Sequence, residues 1–326
     1  MNALVYMGAN ELKYTDFELV GSGENEATIT VQGTGICGSD LHAFLGHDAR
    51  RVPPMVLGHE VFGSVTENGT TSNAVINPII SCGTCDYCLA KRDNLCPNRS
   101  MIGMNKQGGF ADYLHINKKN IIKLSAKVEL KIGALAEPVA NAVHSLRLIE
   151  KSSFKDIKES KILIIGAGSI GLLFGVLLKH KGCQDITICE KNEKRITNIK
   201  QIEGVKDIST IQSSQQYDII IDAVGIEQTR TLAMNHTVAG GVILHIGLGN
   251  TLGSIDVRKL TLSEISFLGT YAYTHEDFLE GVKILESGAI NNDLDWVEMR
   301  SIKDGQKAFD DILSGDVAAA KIVLVN

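Results

Sequence analysis

The sequence predicts an α/β protein of two domains. One is a doubly wound parallel-sheet domain in the middle of the chain. The other is a mostly-β domain made from what precedes and follows it. Three observations carry this. A glycine turn, GAGSIG, sits between an apolar run and an apolar helical stretch within residues 161–180. Further continuous apolar runs at 186–190, 217–222 and 241–247 alternate with helical stretches, the pattern of a parallel sheet covered on both faces. About the first 125 residues instead break into short apolar or alternating runs at 27–32, 55–65, 74–77, 110–116 and 121–124, separated by Gly, Pro, Asn and charged clusters.

The elements follow in order. From residue 129 the period changes: Leu130, Ile132, Leu135, Val139, Val143, Leu146 and Ile149 recur at near-helical spacing, with Pro138 expected to interrupt the run. After the parallel-sheet segment, helices are predicted at 275–287 and 303–313, then a last strand at 321–325. A chain of 326 residues is long enough for about two domains of roughly 150 residues. The expected boundaries are 1–138 with 270–326 for the first domain and 139–269 for the inserted one.

Composition narrows the function classes. With 44% hydrophobic and 21% charged residues the chain is an ordinary globular one. A formal net charge of −6 argues against a nucleic-acid partner. No apolar run reaches the ~18 residues of a membrane span. The first residues show no basic segment followed by an apolar one, so no membrane partner and a cytoplasmic location are expected.

In Gly166-Ala167-Gly168-Ser169-Ile170-Gly171, Gly166 permits the tight turn and Gly168 lets the backbone approach a pyrophosphate. Gly171 lets helix and strand pack closely, and the helix start at Ser169 and Ile170 offers free N–H groups to phosphate. The second strand ends in Glu190, which suits the two ribose hydroxyls of NAD and repels the 2′-phosphate of NADP. Lys191, Lys194 and Arg195 follow closely and weigh toward NADP; Arg195 is counted with the cofactor site, as are Val224 and Gly225 beyond the strand at 217–222. The plain alternative is a tight turn with no dinucleotide.

Seven cysteines are present, four of them at C-x2-C-x2-C-x7-C spacing: Cys82, Cys85, Cys88 and Cys96. Four thiolates on one loop suit a closed, structural zinc site. An iron–sulfur cluster, for which Cys96-Pro97 speaks, and two disulfides are the rivals. Cys183 and Cys189 fall in apolar segments and read as small buried hydrophobes.

A second constellation is scattered: Cys37 in GICGSDLH, His59 and Glu60 in LGHE, and Glu137 in AEP. One thiolate, one imidazole and carboxylates can form an open zinc site, although spacing alone does not bring them together. Taken singly, His59 is also a core or surface histidine and Cys37 a buried hydrophobe. The order GICGSDLH, LGHE, four-cysteine loop, GGFADY, AEP, GAGSIG resembles the zinc-dependent medium-chain alcohol dehydrogenases from end to end, and within them the polyol branch of sorbitol, galactitol-phosphate, butanediol and threonine dehydrogenases.

The resemblance implies a GroES-like mostly-β catalytic domain joined to a Rossmann domain, with two zinc ions per chain and NAD. It implies Cys37, His59, Glu60 and Glu137 at the catalytic zinc, with Glu60 and Glu137 differing in which binds directly. Glu137 stands where classical alcohol dehydrogenases have a cysteine. Asp40 matches the carboxylate that orients the ligand histidine, Ser39 the hydroxyl that hydrogen-bonds the substrate oxygen, and His42 the outer end of the proton relay. The loop Gly108-Gly109-Phe110 resembles one near the substrate cleft. Two departures stand out. Between Val65 and Asn77 the family's longer turn is cut to TENGTTSNA, expected to matter only structurally, and Asn141 stands where many relatives have a small residue or Thr.

The expected reaction is oxidation of a secondary alcohol of a polyol, diol or sugar alcohol to a ketone, with zinc as Lewis acid, proton passage through Ser39 toward His42, and hydride transfer to NAD in a cleft between the domains. A phosphorylated or acidic hydroxy substrate is the alternative, for which Arg50-Arg51 is a candidate anchor, although a solvated loop charge explains that pair more simply. A non-catalytic zinc- and NAD-binding protein is the alternative of another class. The resemblance also implies a homodimer or homotetramer joined through the segment 247–269.

Overall fold

The computed structural model describes residues 1–19, 21, 23–125, 127–199, 205–290 and 294–326. Two compact units form: Met1–Ala140 with Thr274–Asn326, and Asn141–Tyr273.

The first unit is built on a seven-stranded sheet whose path runs Ile121–Lys123, Thr70–Ile76, Glu60–Glu67, Glu26–Gly35, Lys321–Val325, Val297–Ser301. The strand Glu26–Gly35 is its organiser. One edge pairs with Glu60–Glu67, while the other edge takes Tyr113–Asn117 along residues 26–30 and Lys321–Val325 along residues 33–35. All these pairs are antiparallel except the last two strands of the chain, which run parallel. The hairpin from Glu60–Glu67 into Thr70–Ile76 closes on Asn68 and Gly69, both at positive φ (50° and 77°). Asn-Gly is the pair that a two-residue hairpin of matching twist demands, so the shortened turn is a tight, regular one. Alternation along Glu60–Glu67 buries Val61 and Val65 against Ile29, Leu114 and Ile116. A second cluster joins Leu4, Phe44, Phe110 and Phe309 behind the site, with each ring fully buried and about 1.5–3 kcal/mol gained per such side chain.

Pro138 does not interrupt the helix expected there. The helix Ala136–Ser152 begins two residues earlier, so Pro138 falls in its first turn, where the backbone N–H has no intrahelical partner to lose.

The second unit holds a six-stranded parallel sheet in the order Val205–Asp207, Ile186–Glu190, Ile162–Ile165, Tyr217–Asp222, Thr237–His245, Ser266–Gly269. The path starts from Ile162–Ile165 at the centre and reverses there, which is the doubly wound Rossmann arrangement with its binding crevice at the reversal. Ile162, Leu163, Ile164 and Ile165 are all inaccessible to solvent, as a strand covered on both faces requires. The helix Ser169–Lys181 follows directly and ends at Gly182 in the left-handed conformation.

Candidate active site

Cys37 lies at the N-cap of the short helix Gly38–Phe44. Its backbone N–H donates to Asp40 Oδ2 at 3.0 Å, a capping-box bond that fixes Asp40 beneath the helix start. Ser39 and His42 stand three residues apart on this helix and so share a face. His59 and Glu60 arrive on the other side of the strand Glu26–Gly35, where Glu60 is the register partner of Gly35. The approach to His59 is clamped by the glycine loop. Gly108, Gly109 and Phe110 donate their N–H groups to the carbonyls of Val56, Gly58 and Leu57 at 2.8, 2.8 and 3.0 Å.

The structure brings Cys37, His59 and Glu60 together: one ligand atom of each lies within 4.8 Å of the others. His59 Nδ1 faces Asp40 Oδ1 at 3.5 Å. Glu137 is buried at the start of the helix Ala136–Ser152 but does not belong to this tight group. Burial opposes a charge on Asp40, but His59, Arg51 and the Cys37 N–H outweigh it and hold the carboxyl below its usual range. Burial likewise opposes the protonated form of His59, yet Asp40 and Cys37 raise it well above the usual imidazole value. The pocket therefore favours positive charge between Cys37 and Asp40, which is what a divalent cation supplies on displacing that proton. A soft thiolate, an imidazole steered by a carboxylate, and a hard carboxylate fit zinc.

One residue that motif reasoning missed, Lys321, and one that it read as a solvated loop charge, Arg51, complete the site. Lys321 donates to both Glu60 oxygens at 2.7 Å and to the Ile36 carbonyl at 2.8 Å, fully buried. Arg51 is also buried, contrary to the expectation of a solvated loop charge. Its Nε donates to the Gly103 carbonyl at 2.8 Å, one terminal nitrogen binds Asp48, and the other lies 3.3 Å from Ser39 Oγ. Arg50 bonds the same Asp48 at 2.8 Å through each of two nitrogens. Both arginines are thus engaged within the chain.

The four-cysteine loop folds into a cluster with Sγ–Sγ distances of 3.5 Å for Cys85–Cys88 and Cys82–Cys96 and 3.9 Å for Cys82–Cys88. Four sulfurs at a Zn–S distance of about 2.3 Å stand about 3.8 Å apart at the corners of a tetrahedron. Disulfides would bring sulfurs to about 2.05 Å, and a cluster would spread them over several irons. The geometry fits a single tetrahedral ion. Backbone N–H groups of Thr84 and Cys85 pull Cys82 down to about 5, so a thiolate is available there near neutrality.

In the second unit a cavity of about 640 Å³ is lined by Gly166, Gly168, Glu190, Arg195, Val224 and Thr229. A Cβ on Gly171 would stand 1.9 Å from the Gly166 carbonyl oxygen, so only glycine lets the helix start this close to the turn. Glu190 accepts from the N–H groups of Ala167, Lys191 and Asn192 at 3.0, 2.8 and 3.0 Å, and Arg195 lies 3.2 Å from its Oε2. Burial raises Glu190, but these donors and the Arg195 charge bring it below its usual value. Asp222, also missed, accepts the N–H groups of Val224 and Gly225 at 3.0 and 2.9 Å and so fixes that turn. An acid at the carboxyl end of a parallel strand was the available signal.

Two family models match the chain, "Alcohol dehydrogenase GroES-like domain" over residues 23–126 and "Zinc-binding dehydrogenase" over residues 169–287. The chain belongs to the zinc-dependent medium-chain alcohol dehydrogenases. Like other members of that family it is an oxidoreductase of CH–OH groups that uses zinc and a nicotinamide cofactor. Among zinc-dependent medium-chain dehydrogenases it is 28% identical to a D-arabitol-phosphate dehydrogenase of Enterococcus avium, over 95% of this chain and 93% of that one. It is 29% identical to an L-threonine 3-dehydrogenase of Paraburkholderia phytofirmans, over 96% and 95%. The solved L-idonate 5-dehydrogenase of Escherichia coli superposes with a TM-score of 0.89 at 24% identity, covering 100% of this chain and 98% of the other.

Proposed function

We propose that this dehydrogenase oxidises a secondary alcohol of a polyol, diol or sugar alcohol to a ketone, with NAD⁺ taking the hydride. The carrying observation is the convergence of Cys37, His59 and Glu60 beside the hydroxyl-bearing helix Gly38–Phe44. Cys37 and His59 hold the catalytic zinc, with Glu60 and Glu137 as the carboxylates at that site. When bound, zinc supplies Lewis-acid polarisation of the alcohol oxygen. Ser39 Oγ accepts the hydroxyl proton as it releases its own toward His42, which is half-buried on the same helix face and passes a proton to solvent. Asp40 holds the ring of His59. A carboxylate pair in place of a second thiolate makes the site harder, which suits two adjacent substrate oxygens.

Cys82, Cys85, Cys88 and Cys96 hold the structural zinc. Gly166, Gly168, Ser169, Ile170 and Gly171 receive the pyrophosphate, Glu190 the adenosine ribose, and Arg195, Val224 and Gly225 border it. NAD is preferred to NADP on the strength of Glu190. A domain division near 138 and 269 draws support from the compact units, which part between Ala140 and Asn141 and between Tyr273 and Thr274.

The test is NAD⁺-dependent oxidation of free polyols, vicinal diols, sugar-alcohol phosphates and hydroxy amino acids, with wild type and Cys37→Ala. Equal rates in the two proteins sink the catalytic-zinc reading, and a preference for the anionic members moves the substrate to the phosphate or amino-acid class that the named relatives represent.

A cytoplasmic location draws support from the reading of five of the seven cysteines as zinc ligands rather than disulfide partners. Among the described residues no helix is long and apolar enough to cross a membrane. Assembly into a homodimer or homotetramer draws support from the edge strand Ser266–Gly269 and the exposed Leu248, Leu252 and Leu262 near it in sequence. Light scattering on the purified protein reads the outcome directly.

A further inference from the structure

The guanidinium of Arg51 occupies an unusual place. Its side chain has no exposure at all, and neither does that of Asp40. Two of its nitrogens are spent on anchors outside the site: Nε on the Gly103 carbonyl at 2.8 Å and Nη1 on the Asp48 carboxylate. With the plane of the fork held at two points, the third nitrogen has one direction left. That nitrogen, Nη2, lies 3.3 Å from Ser39 Oγ and 3.7 Å from Asp40 Oδ1. It therefore hydrogen-bonds the hydroxyl proposed to receive the substrate proton and stands in ion-pair range of the carboxylate that faces His59 at 3.5 Å.

We propose that Arg51 is a positioning residue for the reaction: it fixes the Ser39 hydroxyl and divides the Asp40 carboxylate with His59. The proposal rests on the functional reading above. A serine hydroxyl has one proton to give and two lone pairs to receive with. Donation from Nη2 fills one lone pair and sets the rotor. One lone pair remains for the substrate hydroxyl, and the serine proton is aimed away from Arg51. A serine without this donor turns freely among staggered positions, only some of which meet the substrate. At Asp40 the effect is on the imidazole. Oδ2 is committed to the Cys37 N–H at 3.0 Å, so Oδ1 is the oxygen that Arg51 and His59 share. A carboxylate shared with a fixed cation draws the imidazole N–H less strongly than one given over to it. The side chain of Arg51 thus sets how firmly the His59 ring is held.

Lysine cannot replace this fork, because a single ammonium on a flexible stem does not reach Gly103, Asp48 and Ser39 in one plane. The pair of variants Arg51→Met and Arg51→Lys tests the proposal, with kcat and KM measured on a diol substrate that wild type oxidises. A second readout is the visible spectrum of the cobalt-substituted proteins, which reports the ligand field at His59 and Cys37 without turnover. Expected is a kcat reduced roughly 10–100-fold in Arg51→Met and less in Arg51→Lys, the range seen when groups that orient ligands are lost, with NAD⁺ affinity within twofold and a shifted cobalt spectrum. A kcat within threefold of wild type and an unshifted spectrum in folded Arg51→Met overturn the proposal. Should Arg51→Met fail to fold, Asp48→Ala removes one anchor from outside the site. A lower kcat with a shifted spectrum supports the proposal, and wild-type values for both overturn it. Failure of the underlying reading looks different: wild type itself then oxidises none of the alcohols, whatever stands at position 51.

Discussion

Lys321 and Glu60 meet through two hydrogen bonds of 2.7 Å, and neither side chain reaches solvent. Room for this contact comes from Gly35, where a Cβ would stand 1.9 Å from Glu60 Oε2. The carboxylate beside Cys37 and His59 is thereby partnered by the strand Lys321–Val325. Lys321→Met leaves Glu60 charged and buried without a partner, and chemical denaturation is expected to show a loss of about 3–5 kcal/mol. Lys321→Met combined with Glu60→Gln is expected to recover most of it, since no lone charge remains. A single variant as stable as wild type refutes the pairing as a stability element.

The same pair predicts an alkaline limit. Burial lowers the Lys321 pKa, but Glu60 and Cys37 outweigh it and the net shift is upward. A folded pKa above the unfolded value of about 10.4 means the contribution is complete below that pH and fades as pH rises through the folded value. Stability measured from pH 8 upward is therefore expected to fall more steeply in wild type than in the double variant.

Metal content separates the two sites. Wild type is expected to carry two zinc ions per chain by mass spectrometry, and Cys96→Ala one. The loop at 82–96, short of apolar contacts of its own, is expected to become sensitive to protease in that variant. Two zinc ions in Cys96→Ala contradict the assignment of the loop.

Gly171→Ala places a methyl group against the Gly166 carbonyl. The turn and helix must separate, and NAD⁺ affinity by fluorescence titration is expected to weaken at least about tenfold, or ~1.4 kcal/mol. Unchanged affinity places the pyrophosphate elsewhere.

Glu190→Ser removes the carboxylate that would repel a 2′-phosphate and releases Arg195 from its 3.2 Å contact. The NADP⁺-to-NAD⁺ ratio of kcat/KM is expected to rise at least about tenfold. A constant ratio shows that Glu190 does not face the ribose.

What was legible in the sequence was local. The strand Ile162–Ile165, its glycine turn and the helix behind it are contiguous, and each glycine's reason lies within a few residues. The four cysteines likewise lie on one short loop. Lys321 and Arg51 were illegible for the opposite reason. Lys321 finds its partner 261 positions away in the sequence, and a lone lysine in an apolar strand carries no mark of the carboxylate opposite. Arg51 looked like surface charge because a short charge run is usually a solvated one, and its neighbour Arg50, 56% exposed at the side chain, is so. Only the fold separates the two, by closing Gly103 and Ser39 over one and not the other. The strands Asn2–Gly8, Glu11–Asp16 and Val297–Ser301 also escaped notice; the first two form a local hairpin, but Leu4, Val5 and Tyr6 are buried in a cluster with Phe110 and Phe309, far away in sequence.

The pairing of Lys321–Val325 with Glu26–Gly35 has a consequence for biosynthesis. On the ribosome the second unit, contiguous from Asn141 to Tyr273, is finished and free to fold while the first still lacks its organising partner. Nearly three hundred residues separate the two strands, so the sheet closes only after Lys321 has emerged. A chain cut short of that residue keeps Cys37, His59, the four-cysteine loop and the glycine turn, yet leaves Glu60 an orphan anion in the core. The final strand thus completes the surroundings of Glu60: the buried carboxylate gains its partner only once Lys321 has joined the sheet.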